Sequence, residues 1–330
     1  MHRLALRSLR SAGRDVHLVI DPLRLAASIP QAAILMASLR PAAVFTTGGY
    51  VSIPIAIAAA PLGIPVVLWE GNVIPGRSVR AIGRLAVVRC VSFASTCPSL
   101  GGEAPCFVTG TPIRDPSGTD RADARRRLGL ADDDRVLLVF GGSQAVRRFN
   151  DAVAQALPDL VERCTVIHVT GDEGYAAALA AREDLPAVIR ARYRPRPFLR
   201  EEMVDALVGA DLVVGRAGSS TLAEVTAAGV PMIVVPYPHA AGHQLANAAV
   251  LADAGAARIV ADEAFDGAAL VEATAVLDDR VLHTGMAAAS RALGRPAAAE
   301  AVADLILAAA NRHPLPDAEQ IDRRSRGVAS

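Results

Sequence analysis

From residue 42 onward, short β-branched apolar runs alternate with alanine-rich helical runs, and the alternation starts afresh part-way along the chain. The runs 43–46, 65–68, 135–140, 165–170, 211–214, 232–235 and 257–260 read as strands, with helical segments such as 149–160, 222–228 and 244–254 between them. Gly229 and Gly255 stand where helix C-caps are expected, because glycine adopts the left-handed conformation without a Cβ clash. Apolar strands separated by helices are buried on both faces, which calls for parallel, doubly wound sheets.

The breakers Gly110, Pro112, Pro116 and Gly118, followed by a charged segment through Asp134, mark an interdomain linker. A second βα series then begins at Arg135. The expected architecture is α/β: two Rossmann-like domains facing a cleft, over residues 1–112 and 113–295. The run 296–312 is predicted as a helix packing back on the first domain, and the polar tail 313–330 as disordered. A length of 330 residues suits two domains.

Composition narrows the function. The 34 basic residues, all arginine, balance 34 acidic ones, and no dense basic run offers a nucleic-acid surface. Residues 16–39 are apolar but broken by Asp21, Pro22, Arg24 and Pro30, so they do not make a spanning helix. Arg3, Arg7, Arg10 and Arg14 precede no uninterrupted apolar core, so no signal peptide is read. Cys90, Cys97, Cys106 and Cys164 form no C-x-x-C pair. They are expected to be buried thiols in a reducing cytoplasm, not disulfides or zinc ligands.

Three segments carry chemistry. Gly141-Gly142-Ser143-Gln144 follows a strand and precedes a helix. It reads either as a loop that lets backbone and hydroxyl approach an anion or as a bare βα turn. Arg216 through Glu224 opens a helix with Ser219, Ser220 and Thr221 at its positive end, which suits a diphosphate. Glu224 then has two readings, as the far half of a capping box with Thr221 or as a carboxylate accepting both hydroxyls of a ribose. Pro236-Tyr237-Pro238-His239, with Gln244 and Asn247, sets polar groups at the C-terminal edge of the sheet, where ligands of open α/β sheets bind. His239 and His243 also read as plain surface histidines.

In order and spacing these segments, with Thr47-Gly48-Gly49-Tyr50-Val51-Ser52, Glu70-Gly71-Asn72-x-x-Pro75-Gly76 and Gly110-Thr111-Pro112-Ile113-Arg114, resemble the GT-B glycosyltransferases. They are most similar to the MurG family, the UDP-N-acetylglucosamine transferases that make lipid II. The resemblance implies an inverting transfer of N-acetylglucosamine from UDP-GlcNAc to a lipid-linked N-acetylmuramoyl-pentapeptide. It implies a peripheral enzyme on the cytoplasmic face of the membrane, without a cofactor or metal. By position it implies that Arg114 and Ser143 meet the diphosphate or its neighbours and that Leu199 lies against the uracil. Ser219, Ser220 and Thr221 would hold phosphate oxygens, Glu224 the ribose and Gln244 the sugar hydroxyls. Asn72 would reach the donor from the first domain, and Gly48, Gly49 and Tyr50 would line the acceptor side.

The chain departs from that pattern. The family's loop Gly-Gly-Thr-Gly-Gly-His, which carries a candidate base, has no counterpart, and His-Glu-Gln-Asn is replaced by Trp69-Glu70-Gly71-Asn72. Ala145 stands where a glycine is usual. Glu70 remains as the best base, with pairing to a nearby backbone group as its alternative. Lacking a central first strand, residues 1–112 are expected to leave strand edges unpaired and to hold together poorly. A misplaced start, a fragment, or a partner chain would each account for this. The alternative functions are a truncated or non-catalytic UDP-sugar-binding chain, another GT-B transferase with a different acceptor, and a UDP-sugar 2-epimerase of the same fold. As it stands, the chain is expected to transfer little sugar.

Overall fold

The computed structural model describes residues 17–142, 146–240 and 242–328. Ser143 and Gln144 of the first candidate loop, and Ala145 after them, lie outside the described residues. The chain divides into two compact units, one running up to Thr111 and resuming at Ala297, the other Pro112–Pro296.

The first unit opens with α1 (His17–Leu39), a single helix that continues through Pro30. It is followed by β1 (Val44–Thr46), α2 (Ser52–Ala59), β2 (Val66–Glu70), α3 (Arg77–Gly83), β3 (Val88–Val91) and β4 (Cys106–Val108). The four strands form one parallel sheet in the order β1-β2-β3-β4. Alternation along β2 explains its cover: Val66 and Leu68 face a core with Ala56, Val79 and Ile82 of α2 and α3, while Val67 faces the other side. Ala32 and Met36 of α1 pack on Ala58 of α2. No helix of the described residues is long and apolar enough to cross a membrane.

The second unit begins with α4 (Arg121–Arg127), inside what the sequence reads as linker, capped by Asp120. It continues with β5 (Val136–Phe140), α5 (Val146–Arg163), β6 (Thr165–Val169), α6 (Gly171–Glu183), α7 (Ala187–Arg190), β7 (Tyr193–Arg196) and α8 (Glu202–Gly209). Then come β8 (Leu212–Gly215), α9 (Ser219–Ala228), β9 (Met232–Val234), α10 (His243–Asp253), β10 (Ala257–Ile259), α11 (Gly267–Ala273) and α12 (Arg280–Leu293). Its six-stranded parallel sheet has the order β10-β9-β8-β5-β6-β7. The reversal between β5 and β8 is a switch point, where the connections at the strands' C-terminal ends diverge and leave room for a ligand. Gly229 closes α9 at φ 70° and Gly255 follows α10 at φ 77°, both left-handed as expected.

Two sequence expectations are corrected. The tail read as disordered carries α14 (Ala318–Ser325), begun by a capping box between Asp317 and Gln320. With α13 (Ala298–Asn311) it belongs to the first unit, where Val302, Leu305 and Ile321 cover Val67, Cys90 and Phe107. In the described part, chain from beyond Ala297 covers one face of the first sheet, while β1 ends that sheet with no outer partner strand and with Phe45 43% exposed. Finally, Cys97 and Cys106 form a disulfide, with Cα atoms 6.0 Å apart, bridging the turn between β3 and β4. A spacing of nine residues hides this pair from motif reading. Cys90 and Cys164 are buried free thiols, and burial pushes both up to about 12, so they stay protonated.

Candidate functional site

The strand β8 ends at Gly215, and a tight connection delivers the chain to Gly218, the N-cap of α9. A Cβ on Gly215 would stand 3.1 Å from Met232 Cε and 3.2 Å from the Phe140 carbonyl oxygen, so a side chain there would crowd the end of β8. Gly218 offers no side chain to cap the helix, and the first intrahelical bond runs from the Leu222 N–H to the Gly218 carbonyl. The N–H groups of Ser219, Ser220 and Thr221 therefore point out of the helix start beside three hydroxyls. This is a concentration of donors at the positive end of the helix dipole.

The same geometry separates the two readings of Glu224. Because the cap is Gly218, Thr221 already lies inside the helix, and no capping box forms. Glu224 sits four residues after Ser220, on the same face and about 6 Å further along at 1.5 Å per residue. It lines a cavity of about 210 Å³ with Arg114, Pro116, Leu199, Arg200, Met203, Val204 and Leu207. Burial raises the Glu224 carboxyl above its ordinary range, and the Arg114 guanidinium opposes the shift. Arg114 is itself oriented by donating to the Arg200 carbonyl at 3.0 Å. The structure thus brings together Arg114, Leu199 and Glu224, which lie far apart in sequence. Met203, Val204 and Leu207 of α8 complete the apolar wall. Sequence reading passed over them, and their apolar spacing on an amphipathic helix is the one signal that points to them.

A larger hollow of about 460 Å³ lies at the edge strand β7, lined by Tyr175, Arg182, Arg194 and Arg196 among others. Its arginines already serve backbone carbonyls: Arg194 those of Leu128 and Gly129, Arg182 that of Tyr193. The smaller cavity is the better site because it adjoins unsatisfied donors.

Gln244, expected to read sugar hydroxyls, ties two loops together in the structure. Its Oε1 accepts from the Ala217 N–H at 3.2 Å and the Tyr237 N–H at 2.9 Å, while Asn247 Nδ2 donates to the Ala217 carbonyl at 3.1 Å. The two amides lock the turn after β9 to the residue preceding Gly218, which leaves Gln244 only its Nε2 for a ligand. Gly142 has φ +67° with open space at its Cβ position, consistent with a loop open to an approaching group.

In the first unit, Glu70 ends β2 and is buried. Its Oε1 accepts from the Asn72 N–H at 2.8 Å and from Asn72 Nδ2 at 2.9 Å. These bonds favour the pairing role over that of a base, and they occupy part of the amide that Asn72 would offer a donor. Gly48 requires its glycine: φ is +77°, and a Cβ would come within 2.3 Å of Val79 Cγ2. Its carbonyl accepts from Ser78 Oγ at 2.7 Å, which fixes the Gly48-Gly49-Tyr50 turn at the start of α2. Among the described residues, no three His, Cys, Asp or Glu side chains gather closely enough to hold a metal ion.

Comparison with known proteins adds kinship to this geometry. The profile of the glycosyltransferase family 28 C-terminal domain matches residues 136–304, and that of the family 28 N-terminal domain matches residues 1–87. The UDP-N-acetylglucosamine--N-acetylmuramyl-(pentapeptide) pyrophosphoryl-undecaprenol N-acetylglucosamine transferase of Moorella thermoacetica is 39% identical over 277 residues, 81% of this chain and 74% of that protein. The protein of the same name from Chlorobium phaeobacteroides is 34% identical over 313 residues, 93% of this chain and 84% of its own. The crystal structure of Acinetobacter baumannii MurG superimposes with a TM-score of 0.72 at 33% identity, covering 87% of this chain and 79% of that one. A UDP-GlcNAc 2-epimerase from Neisseria meningitidis, bound to UDP-GlcNAc, gives 0.61 at 12% identity, covering 91% and 84%. At that identity only the fold is shared.

Proposed function

We infer the function from kinship and geometry together: the chain belongs to glycosyltransferase family 28 and, within it, to the UDP-N-acetylglucosamine-dependent transferases of peptidoglycan precursor synthesis. It is a GT-B glycosyltransferase that moves N-acetylglucosamine from UDP-GlcNAc to a lipid-linked N-acetylmuramoyl-pentapeptide. The observation that carries the site assignment is the juxtaposition of a half-buried carboxylate with unsatisfied helix-start donors on one face of α9. One end suits a ribose and the other a diphosphate.

On this reading Leu199, Met203 and Val204 lie against the uracil, Glu224 accepts the ribose hydroxyls, and Arg114 supplies positive charge beside them. Ser219, Ser220 and Thr221 take the diphosphate oxygens, and the Gly141-Gly142-Ser143 loop approaches the same group. The transfer is a single in-line displacement with inversion. The acceptor's 4-hydroxyl oxygen bonds the anomeric carbon and gives up its proton to a general base or water, as the bond to the diphosphate oxygen breaks and the electron pair leaves on UDP. The helix start stabilises that developing charge with fixed dipoles that need no reorganisation. Gly48, Gly49 and Tyr50 serve the acceptor, and Glu70 holds Asn72 in place. Because the relatives' acceptor is undecaprenol-linked, the enzyme works as a peripheral protein at the cytoplasmic face of the membrane. The exposed Ile34 and Leu39 of α1 support that placement.

The whole chain, incubated with radiolabelled UDP-GlcNAc and the lipid-linked acceptor in detergent, is expected on this reading to yield labelled lipid, against the little transfer expected from the sequence for want of the Gly-Gly-Thr-Gly-Gly-His loop. Binding of UDP-GlcNAc without labelled lipid would leave a donor-binding chain and sink the transferase reading.

The raised Glu224 carboxyl gives a pH dependence of definite sign. Accepting ribose hydroxyls needs the carboxylate, so UDP affinity is expected to fall as pH drops through a midpoint above the ordinary glutamate value of about 4.3. The contribution of Glu224 to folding runs the other way. A raised folded pKa favours the protonated form, so that stability is present below the unfolded value and is lost as pH rises through the folded one. Titrating UDP at a series of pH values, with Glu224→Gln beside the parent protein, isolates the effect. A parent and variant with the same pH profile would remove Glu224 from the ribose site.

A further inference from the structure

Arg216 lies between β8 and α9 with 6% of its surface exposed. Its guanidinium carbon is 4.9 Å from the Phe149 ring centroid and 5.4 Å from that of Tyr237, the arrangement of a cation between two aromatic faces. One terminal nitrogen donates to the Val235 carbonyl at 3.0 Å and to Asp262 Oδ1 at 2.5 Å. The other carboxylate oxygen, Oδ2, lies 3.3 Å from Arg148 Nε. Asp262 follows β10, Arg148 and Phe149 lie in the first turn of α5, and Tyr237 follows β9. A single carboxylate, its side chain 13% exposed, therefore joins groups from four connections at the C-terminal edge of the sheet.

These are the connections that border the sugar and diphosphate end of the donor. Tyr237 is tied through Gln244 to Ala217, immediately before the start of α9, and its ring meets that of His239 edge-on, with centroids 5.4 Å apart. Arg148 and Phe149 follow the Gly141-Gly142 loop. None of these residues lines the cavity of Arg114, Leu199 and Glu224, which takes the nucleoside.

We propose that Asp262 is a positioning residue for the sugar-diphosphate end of the donor. By neutralising and orienting Arg216, it fixes the turn bearing Tyr237 and His239 against the start of α5, and it touches no substrate itself. The inference rests on the donor-site reading above. A stability role alone would be indifferent to which part of the donor is bound. A positioning role weakens contacts at one end of the donor and spares those at the other.

The test titrates uridine monophosphate and UDP-GlcNAc separately onto the full chain and onto Asp262→Asn, Asp262→Glu and Tyr237→Leu. In Asp262→Asn, UDP-GlcNAc affinity is expected to fall at least tenfold while uridine monophosphate affinity stays within threefold. Asp262→Glu, which keeps the charge, recovers part of the loss. Tyr237→Leu, which leaves the ion pair intact, repeats the selective loss and carries the test should Asp262→Asn fail to fold. Equal losses for both ligands, or no loss for either, would overturn the proposal. If the parent protein binds neither ligand, the donor-site reading itself fails, and this inference fails with it.

Discussion

Replacing Glu224 by glutamine is expected to weaken UDP binding by roughly ten- to a hundredfold while leaving the fold intact. A carboxylate accepts from both hydroxyls of a ribose, whereas glutamine has one acceptor oxygen and presents an amine where the second hydroxyl would donate. Losing a hydrogen bond to a charged group costs about 1.5–3 kcal/mol, and each 1.4 kcal/mol is about tenfold in affinity. The cap of α9 is Gly218, so no helix-start interaction is lost with the carboxylate. Burial penalises the charged form of Glu224, so the variant's melting temperature should match or slightly exceed the parent's. Calorimetric titration with UDP and a thermal melt measure the two quantities. Unchanged affinity together with a lower melting temperature would return Glu224 to a purely structural role.

The loops at this site were readable in the sequence because their signals are local. Glycines next to hydroxyls, directly after an apolar run, place a helix start at the edge of a sheet, and Ser219 through Glu224 folds that way. The cavity wall was less readable, because Leu199 and Met203 meet Glu224 only through the tertiary packing of α8. Asp262 lies 46 residues from Arg216 and in no motif, so nothing local marks it. Three strands, β3, β4 and β7, were missed, two of them for plain physical reasons. In β3 an arginine interrupts the apolar run, yet Arg89 is buried because its guanidinium donates to the carbonyls of Gly101, Gly102 and Ala104. Tyr193–Arg196 contains Pro195, which argues against a strand, but β7 is an edge strand, where a missing N–H faces no neighbour. Its outward carbonyls are closed off as well, that of Tyr193 by Arg182 and that of Pro195 by Arg196. The bonds of Gln244 to the Ala217 and Tyr237 N–H groups were not legible, since a side chain that ties two loops together looks the same in sequence as one that binds a sugar.

The segment read as linker leads to the largest stability effect. Arg125 of α4 is 3% exposed, and its guanidinium donates to the carbonyls of Gly209, Ala131 and Asp132 and to Asp211 Oδ2 at 2.8 Å. Asp211 also accepts from Arg121 at 2.6 Å and from the Val136 N–H at 2.8 Å. Its carboxylate therefore joins α4 to the starts of β5 and β8, the two central strands. Asp211→Ala leaves the Arg125 charge buried without its counter-ion and the Val136 N–H without its acceptor. Breaking a buried pair from one side costs about 3–5 kcal/mol, and because the Asp211 side chain is 21% exposed, water reaching the gap places the loss near the lower end. At about 2–4 °C per kcal/mol for a unit of this size, the melting temperature should fall by on the order of 10 °C. Asp211→Asn keeps an acceptor but not the charge, and should fall between the parent and the alanine variant. Near the melting transition, saturating UDP should recover part of the loss in each variant, because the ligand binds only the folded unit. Melts of the parent and both variants, with and without UDP, test the full order. An alanine variant as stable as the parent would show that Arg125 is held by its carbonyl contacts alone and that the pair with Asp211 is incidental.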